Sequence, residues 1–139
     1  MFLAFAVKSY DSNDKSHSVE MKLFIGLCLM AMAAAQTYSP ENDNLDIEAV
    51  VNNDDTLKAF YGCFMETGSC DAVQADFKKD LPEAVEQACA KCTSAQKHIL
   101  KRFLEALKQK FPQEYEEFRK KFDPETKYFT KLETAVANS

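Results

Sequence analysis

The sequence predicts an all-α protein, built as a single domain of about six amphipathic helices. Apolar residues recur three and four positions apart along most of the chain, which is the spacing of one helix face. No segment of four to eight residues alternates apolar and polar side chains as a half-buried strand does. The 139 residues are 46% hydrophobic with only three glycines and four prolines, which excludes collagen-like, low-complexity and disordered chains.

The N-terminal part of the chain has the features of a secretory signal peptide. Residues 21–35 contain Lys22, then an apolar run, then three alanines before the polar segment that starts at Gln36. The run is too short for a transmembrane helix, which needs about 20 apolar residues. Residues 1–20 are slightly acidic, unlike the short positive start of a signal peptide. We therefore expect Met21 to be the initiator, residues 1–20 to be an upstream extension and residues 36–139 to form the secreted helical domain. A buried N-terminal helix is the alternative.

Two helices are predicted in the part of this domain that precedes its second cysteine, Cys70. Ile47, Val50 and Val51 form a short apolar stripe. A longer stripe follows at helical spacing and consists of Leu57, Phe60, Tyr61, Phe64 and Met65. Gly68 follows this stripe, and a glycine is the usual residue at the left-handed position that ends a helix.

The third helix is predicted to begin with a capping box, because Asp71 is followed three residues later by Gln74. Its apolar stripe consists of Phe77, Leu81, Val85 and Ala88. Pro82 lies inside this stripe and predicts either a kink or a new first turn.

The fourth helix has the strongest pattern and is predicted to begin with a capping box of Thr93 and Gln96. Its wide apolar face consists of Ile99, Leu100, Phe103, Leu104, Leu107 and Phe111. Pro112 is expected at the first position of a fifth helix, which carries Tyr115, Phe118 and Phe122. Asp123 and Pro124 are predicted to be the cap and first residue of a last helix, whose apolar residues are Tyr128, Phe129, Leu132 and Val136.

The cysteine spacing favours disulfides that are local in sequence. Cys28 belongs to the predicted signal peptide, and the four later cysteines have six, eighteen and two residues between them. An even number in a small secreted domain indicates disulfides, and three connectivities are possible. Pairing Cys63 with Cys70 and Cys89 with Cys92 closes two short loops and is favoured. A zinc site of four cysteines and a thioredoxin-like redox pair at the last two cysteines are the alternatives.

Four short stretches, together with this cysteine spacing, resemble the insect chemosensory protein family, also called OS-D or A10. Residues 43–47, Asp-Asn-Leu-Asp-Ile, resemble the family's N-terminal segment. The Asn-Asp and Leu-Lys pairs within residues 53–58 precede the first cysteine of the pattern as in the family. Residues 89–97 match its Cys-x-Lys-Cys-Ser/Thr-x-x-Gln-Lys stretch, and residues 122–124 match its Tyr/Phe-Asp-Pro. The resemblance covers nearly all of residues 36–139.

This resemblance implies six helices around an elongated apolar channel, with the first cysteine paired to the second and the third to the fourth. It also implies a secreted carrier that binds small hydrophobic molecules, such as fatty-acid-like compounds, semiochemicals or pheromones. The chain departs from the family pattern at residues 71–74, where Asp-Ala-Val-Gln replaces Thr-Pro-Asp/Glu-Gly, and at Tyr115, where the family often has tryptophan.

Charge and motif content argue against nucleic-acid binding and against catalysis. The net charge is −5 and the pI about 5.1, without the basic run that a nucleic-acid partner would need. The sequence has no glycine-rich phosphate loop, no HExxH and no GxSxG motif. His98 is the only histidine after residue 35, and no partner for general-base chemistry can be identified. We therefore predict no enzyme activity, no metal and no cofactor.

The high content of aromatic residues is the most informative feature of the composition, since residues 36–139 contain 12 phenylalanines and tyrosines. Such residues can fill a core or line an apolar cavity between helices. The residues expected to bound the channel are Ile47, Val50, Phe60, Tyr61, Phe64, Met65, Leu81, Val85, Ile99, Phe103, Leu107, Tyr115 and Phe118. We expect a monomer without stable membrane insertion and leave any receptor open. The alternatives are an interaction or developmental factor that acts through a protein partner, and an oxidoreductase that uses Cys89 and Cys92.

Overall fold

Helices form the architecture of the described part of the chain and confirm the predicted all-α fold. The computed structural model describes residues 37–139, so the predicted signal peptide and the segment before it lie outside the described residues. The helices in this part are α1 (Ile47–Val51), α2 (Asp54–Phe64), α3 (Ala72–Glu86), α4 (Ser94–Lys110), α5 (Pro112–Phe122) and α6 (Phe129–Val136). Residues 37–139 contain no strand, and no helix among them is both long enough and apolar enough to span a bilayer.

Polar side chains start the first four helices by accepting hydrogen bonds from backbone N–H groups. Asp46 and Asn53 each accept from the N–H three residues further on, at 3.1 Å, and so begin α1 and α2. The predicted capping boxes at residues 71–74 and 93–96 are both formed and begin α3 and α4. These bonds satisfy N–H groups that have no partner within the helix, which typically stabilises a helix by about 1 kcal/mol per cap.

The third helix continues through Pro82 as a single helix of 15 residues, so the predicted alternative of a new first turn is wrong. Proline removes one backbone donor and crowds the preceding turn, which would weaken an isolated helix. Leu81, Ala84 and Val85 are buried on the same helix, whereas Pro82 is exposed. Packing of the buried face therefore maintains the helix across the proline.

The end of α2 is a left-handed turn at Glu66, so the prediction that Gly68 takes this position is wrong. Glu66 has a φ of 65°, and no glycine among the described residues has a positive φ. The Thr67 N–H donates to the Gly62 carbonyl at 2.9 Å, and the Glu66 N–H donates to the Cys63 carbonyl at 3.1 Å. This pair of bonds is a Schellman motif, which satisfies carbonyls that the end of a helix leaves free.

Each predicted disulfide is present and lies at a helix end. Cys63–Cys70 joins the last turn of α2 to the loop beyond it, and Cys89–Cys92 closes the turn between α3 and α4; each pair has a Cα–Cα distance of 5.0 Å. In the second turn Ala88 and Cys89 have φ values of 51° and 59°. Because all four sulfurs are paired in these two bonds, the alternative of a four-cysteine zinc site is wrong.

The last helix begins at Phe129, so the prediction that Asp123 and Pro124 directly begin it is wrong. The Asp123 side chain nevertheless organises this helix start. It accepts hydrogen bonds from the backbone N–H groups of Lys127, Tyr128 and Phe129 at 2.8, 2.9 and 3.0 Å. Burial by itself would raise the pKa of Asp123, but the three N–H donors outweigh it and lower the pKa.

The core is centred on α4, which packs against α1, α5 and α6, while α3 packs against α2 and α6. Side chains with no exposed surface lie at its centre, namely Leu57, Val85, Leu107, Phe118 and Leu132. The Phe118 ring lies 5.7 Å from the ring of Phe103 on α4 and 6.1 Å from that of Phe129 on α6, measured between centroids. These contacts hold α4, α5 and α6 together.

Candidate functional site

An apolar cleft lies where α1, α2, α3 and α4 meet, next to the segment that precedes α1. Its volume is about 610 Å³, including the part that is open to solvent. Most of its lining is apolar, formed by Ile47, Phe60, Phe64, Phe77, Leu81, Ala84, Cys92, Ile99, Leu100 and Phe103. The polar contributions come from Tyr38, Asp76, Asp80 and Gln96. Mostly apolar walls with a few polar groups are typical of a site for a small molecule.

Three aromatic rings form the inner wall of the cleft. The Phe64 ring lies edge-on to Phe60 and Phe103, with centroid distances of 5.9 and 5.3 Å. This T-shaped arrangement is a preferred geometry for aromatic pairs. Phe103 also contacts the core through Phe118. The wall of the cleft is therefore continuous with the core and is held by it.

Residues 38–42 lie along the rim of the cleft, and we call them the N-terminal strap. The Gln96 Nε2 at the start of α4 donates to the Ser39 carbonyl at 2.8 Å. The Asn42 Nδ2 donates to Asp76 Oδ2 on α3, also at 2.8 Å. The strap is thus hydrogen-bonded to α4 and α3, two of the four helices that form the cleft.

Tyr38 of the strap is the aromatic residue that closes this edge of the cleft. Its backbone N–H donates to the Lys91 carbonyl at 2.8 Å, and its hydroxyl donates to Glu83 Oε1 at 3.2 Å. Lys91 Nζ lies 2.7 Å from the same carboxylate oxygen. Burial raises the pKa of Tyr38, and the negative charge of Glu83 raises it further. The hydroxyl therefore stays protonated and acts as a donor.

The two carboxylates that line the cleft differ in their surroundings. Asp76 accepts a hydrogen bond from Lys79 Nζ at 2.7 Å and another from Asn42, and these two donors lower its pKa. Burial raises the pKa of Asp80; Lys79 opposes this shift, while Asp76 and Glu83 add to it. Asp80 is half-buried, and no hydrogen bond to its side chain is found within residues 37–139.

Neither Cys92 nor His98, the two residues considered for chemistry, presents a free reactive group to the cleft. Cys92 lines it, but its sulfur is in the disulfide with Cys89. His98 is exposed on α4 and does not line the cleft; its Nδ1 lies 3.3 Å from the Ser139 carbonyl oxygen. Within the described residues, no group of three or more His, Cys, Asp or Glu is placed to hold a metal ion. The cleft can bury an apolar molecule and offer acceptors at its rim.

The structure places six of the thirteen predicted channel residues on this cleft. They come from α1, α2, α3 and α4 and are Ile47, Phe60, Phe64, Leu81, Ile99 and Phe103. The other seven do not line it and are Val50, Tyr61, Met65, Val85, Leu107, Tyr115 and Phe118. The two predicted residues from α5 are both in the second group, so α5 supports the site from behind and does not border it.

The seven predicted residues that do not line the cleft lie in the core or at its edge. Four are enclosed in the core, namely Val50, Val85, Leu107 and Phe118. Tyr115 is also buried, and its hydroxyl donates to Glu133 on α6. Tyr61 is half-buried and donates to Glu117 on α5 at 2.8 Å, while Met65 packs against the edge of the core. Most of each helical stripe is buried, but only part of it faces the cleft.

Eight lining residues were not predicted, and they are Tyr38, Asp76, Phe77, Asp80, Ala84, Cys92, Gln96 and Leu100. Phe77 and Leu100 belong to apolar stripes that the sequence does indicate, so a wider choice from those stripes would have included them. Gln96 was identified only as a capping residue. Asp76 and Asp80 lie on α3 beside the apolar stripe of Phe77 and Leu81, but an aspartate at the edge of a stripe is ordinarily a solvated residue. Tyr38 carries no local signal, because its position depends on the contacts of the strap with Lys91 and Glu83.

Comparison with known proteins identifies the family. The sequence pattern of the insect pheromone-binding family A10/OS-D matches residues 38–130. Allergen Tha p 1 of Thaumetopoea pityocampa is 34% identical over 113 residues, which cover 78% of this chain and 89% of that protein. Ejaculatory bulb-specific protein 3 of Drosophila melanogaster is 25% identical over 122 residues, which cover 86% of this chain and 97% of that protein.

A solved structure agrees with these sequence matches. It is a chemosensory protein in complex with bromo-dodecanol, with a TM-score of 0.65 and 30% sequence identity. The match covers 70% of this chain and 98% of that one. The resemblance of the cysteine spacing and the four short stretches to this family is thereby confirmed. The chain belongs to the insect pheromone-binding family A10/OS-D.

Proposed function

We propose that the protein is a secreted carrier that binds small hydrophobic molecules in the cleft between α1, α2, α3 and α4. The observation that carries this proposal is the cleft itself, with an aromatic inner wall and polar groups confined to its rim. Fatty-acid-like compounds, semiochemicals and pheromones have the apolar chains that such a cleft can bury. The proposed activity is binding, without catalysis.

The physical basis for binding is removal of apolar surface from water. Each Å² of buried apolar surface contributes about 25 cal/mol, reduced by the loss of ligand freedom. Most of this surface belongs to the apolar chain of the ligand, because the rings of Phe60, Phe64 and Phe103 are themselves only 3–7% exposed and act as the wall against which that chain packs. A solved relative with bromo-dodecanol bound supports the same use of the fold.

Affinity is expected to increase with the length of a linear alcohol until the cleft is full, since each added methylene buries more apolar surface. Phe64→Ala and Phe103→Ala should each weaken binding by roughly ten-fold or more, because each removes part of the aromatic wall. The chain has no tryptophan, so binding is measured by displacement of an extrinsic fluorescent probe or by calorimetry.

The matched control is Phe122→Ala, which removes a half-buried ring that does not line the cleft. This variant should bind as the parent protein does. If Phe103→Ala does not fold, Phe77→Ala tests the same wall from α3. An affinity that is independent of chain length, or folded cleft variants that bind like the parent, would contradict the carrier function.

Secretion is a separate part of the proposal and rests on residues 21–35, outside the described part of the structure. Cleavage after Ala35 would leave Gln36 as the first residue, close in sequence to the strap. We expect N-terminal sequencing of the protein from the medium of expressing insect cells to begin at Gln36, or at its cyclised form. Retention of the whole chain inside the cells would contradict this expectation.

A further inference from the structure

The rim of the cleft carries negative charge that is only partly neutralised. Asp76 and Asp80 on α3 both line the cleft. Lys79 carries a positive charge at this rim, but its Nζ already forms an ion pair with Asp76 at 2.7 Å. Lys91 is likewise paired, with Glu83 at 2.7 Å. Among the lining residues there is no lysine, arginine or histidine. The two donors that line the cleft, the Tyr38 hydroxyl and the Gln96 amide, are already bonded to Glu83 and to the Ser39 carbonyl. A ligand carboxylate at this rim would therefore meet two aspartates and no free cation.

Asp80 is the acceptor that remains available to a ligand. Asp76 already accepts from both Lys79 and Asn42, so its oxygens are engaged. Asp80 lines the cleft, is half-buried, and accepts no hydrogen bond from any residue in the range 37–139. Burial raises the pKa of Asp80, which is the expected effect of incomplete hydration on a carboxylate. A donor that enters the cleft would satisfy this side chain.

We propose that the cleft prefers linear ligands whose head group donates a hydrogen bond to Asp80, as an alcohol or an ammonium group does, over carboxylates of the same chain length. This inference rests on the proposed carrier function and specifies its ligand class. The apolar chain lies against the aromatic wall, and the head group lies at the rim beside α3.

Two physical effects separate these head groups. A hydroxyl or an ammonium group supplies the donor that Asp80 lacks, and bonds to a charged acceptor are stronger than bonds between neutral groups. A carboxylate places a like charge beside Asp80 and Asp76 where water is partly excluded, so the repulsion is weakly screened. Either the ligand or an aspartate must then take up a proton, which lowers the affinity at neutral pH.

The test compares decanol, decylammonium and decanoate, which have the same chain length, by calorimetry at neutral pH and below their aggregation limits. Decanol and decylammonium are expected to bind at least about ten-fold more tightly than decanoate. In Asp80→Asn the preference should fall to a few-fold, because the amide removes one charge and keeps the size of the side chain. The matched control is Asp55→Asn, which removes an exposed charge on α2 away from the cleft and should keep the parent preference.

The results of this experiment distinguish failure of the head-group inference from failure of the proposed carrier function. Decanoate that binds the parent as tightly as decanol overturns the head-group inference and leaves the carrier function intact. An unchanged preference in folded Asp80→Asn also overturns it, because another group would then set the selectivity. Failure of all three compounds to bind contradicts the carrier function itself. Circular dichroism of each variant verifies that the helices are formed.

Discussion

Phe118→Ala is expected to lower the free energy of unfolding by about 3–5 kcal/mol, which is the range for truncating a large buried aromatic residue. Phe118 has no exposed surface, and its ring contacts those of Phe103, Phe122 and Phe129. The substitution leaves a cavity between α4, α5 and α6. Urea denaturation followed by circular dichroism measures the effect, and Phe118→Leu provides a milder variant if the alanine form does not fold.

Phe77→Ala is the matched comparison, because it removes the same ring from a half-buried position on the cleft. It should cost only about 1–2 kcal/mol of stability, since less apolar surface is lost from the core. Its main effect should be on ligand affinity. If Phe118→Leu remained as stable as the parent protein but bound ligand poorly, the assignment of Phe118 to the core would be wrong.

The second large effect is expected at Asp123, where alanine should lower the melting temperature by roughly 5 °C or more. The carboxylate accepts from three consecutive backbone N–H groups at the start of α6, and Asp123 is only 3% exposed. Its removal leaves these donors without their partner and removes a negative charge from a helix N-terminus. Asp55→Ala also removes an exposed negative charge from the first turn of a helix, but without a set of bonded N–H groups, so it controls for the charge effect and should lower the melting temperature less.

The stabilising effect of Asp123 is expected to decrease at acidic pH. The pKa of Asp123 is lower in the folded protein than its ordinary value of 3.8, so the folded state favours the ionised form. Its contribution to stability is therefore fully present above the unfolded value and is lost as the pH falls through the folded pKa. The difference in melting temperature between the parent protein and Asp123→Ala should narrow on acidification. A difference that is the same at neutral and strongly acidic pH would contradict a charge-dependent role.

The sequence predicted all six helices of the described residues, because periodicity and capping are local properties. The boxes at residues 71–74 and 93–96 formed as predicted, and so did both disulfides. The errors arose where tertiary contacts decide between local options. A glycine is the usual left-handed residue, yet Glu66 takes this role within the loop that Cys63–Cys70 closes. Asp123 caps the last helix although it lies six positions before Phe129, which is further than a local capping motif extends.

The candidate site was less predictable than the fold. Apolar stripes indicate which face of a helix is buried, but not whether the face meets another helix or a cleft. Phe103 and Phe118 both belong to apolar stripes at helical spacing. Phe103 lines the cleft, whereas Phe118 fills the core. The rim depends on contacts between distant segments, such as Asn42 with Asp76. No pattern in a single sequence indicates such a pairing.

The short separations of the disulfides, 7 and 3 positions, bear on how the chain reaches its native state. Closing a loop costs more entropy as the loop lengthens, so the native partners meet more often in the unfolded chain than Cys70 and Cys89 do. Correct cross-linking therefore does not depend on the tertiary fold being complete. Oxidation can precede helix packing without trapping distant parts of the chain in the wrong arrangement, which agrees with the proposed secretion, because the secretory pathway is an oxidising compartment.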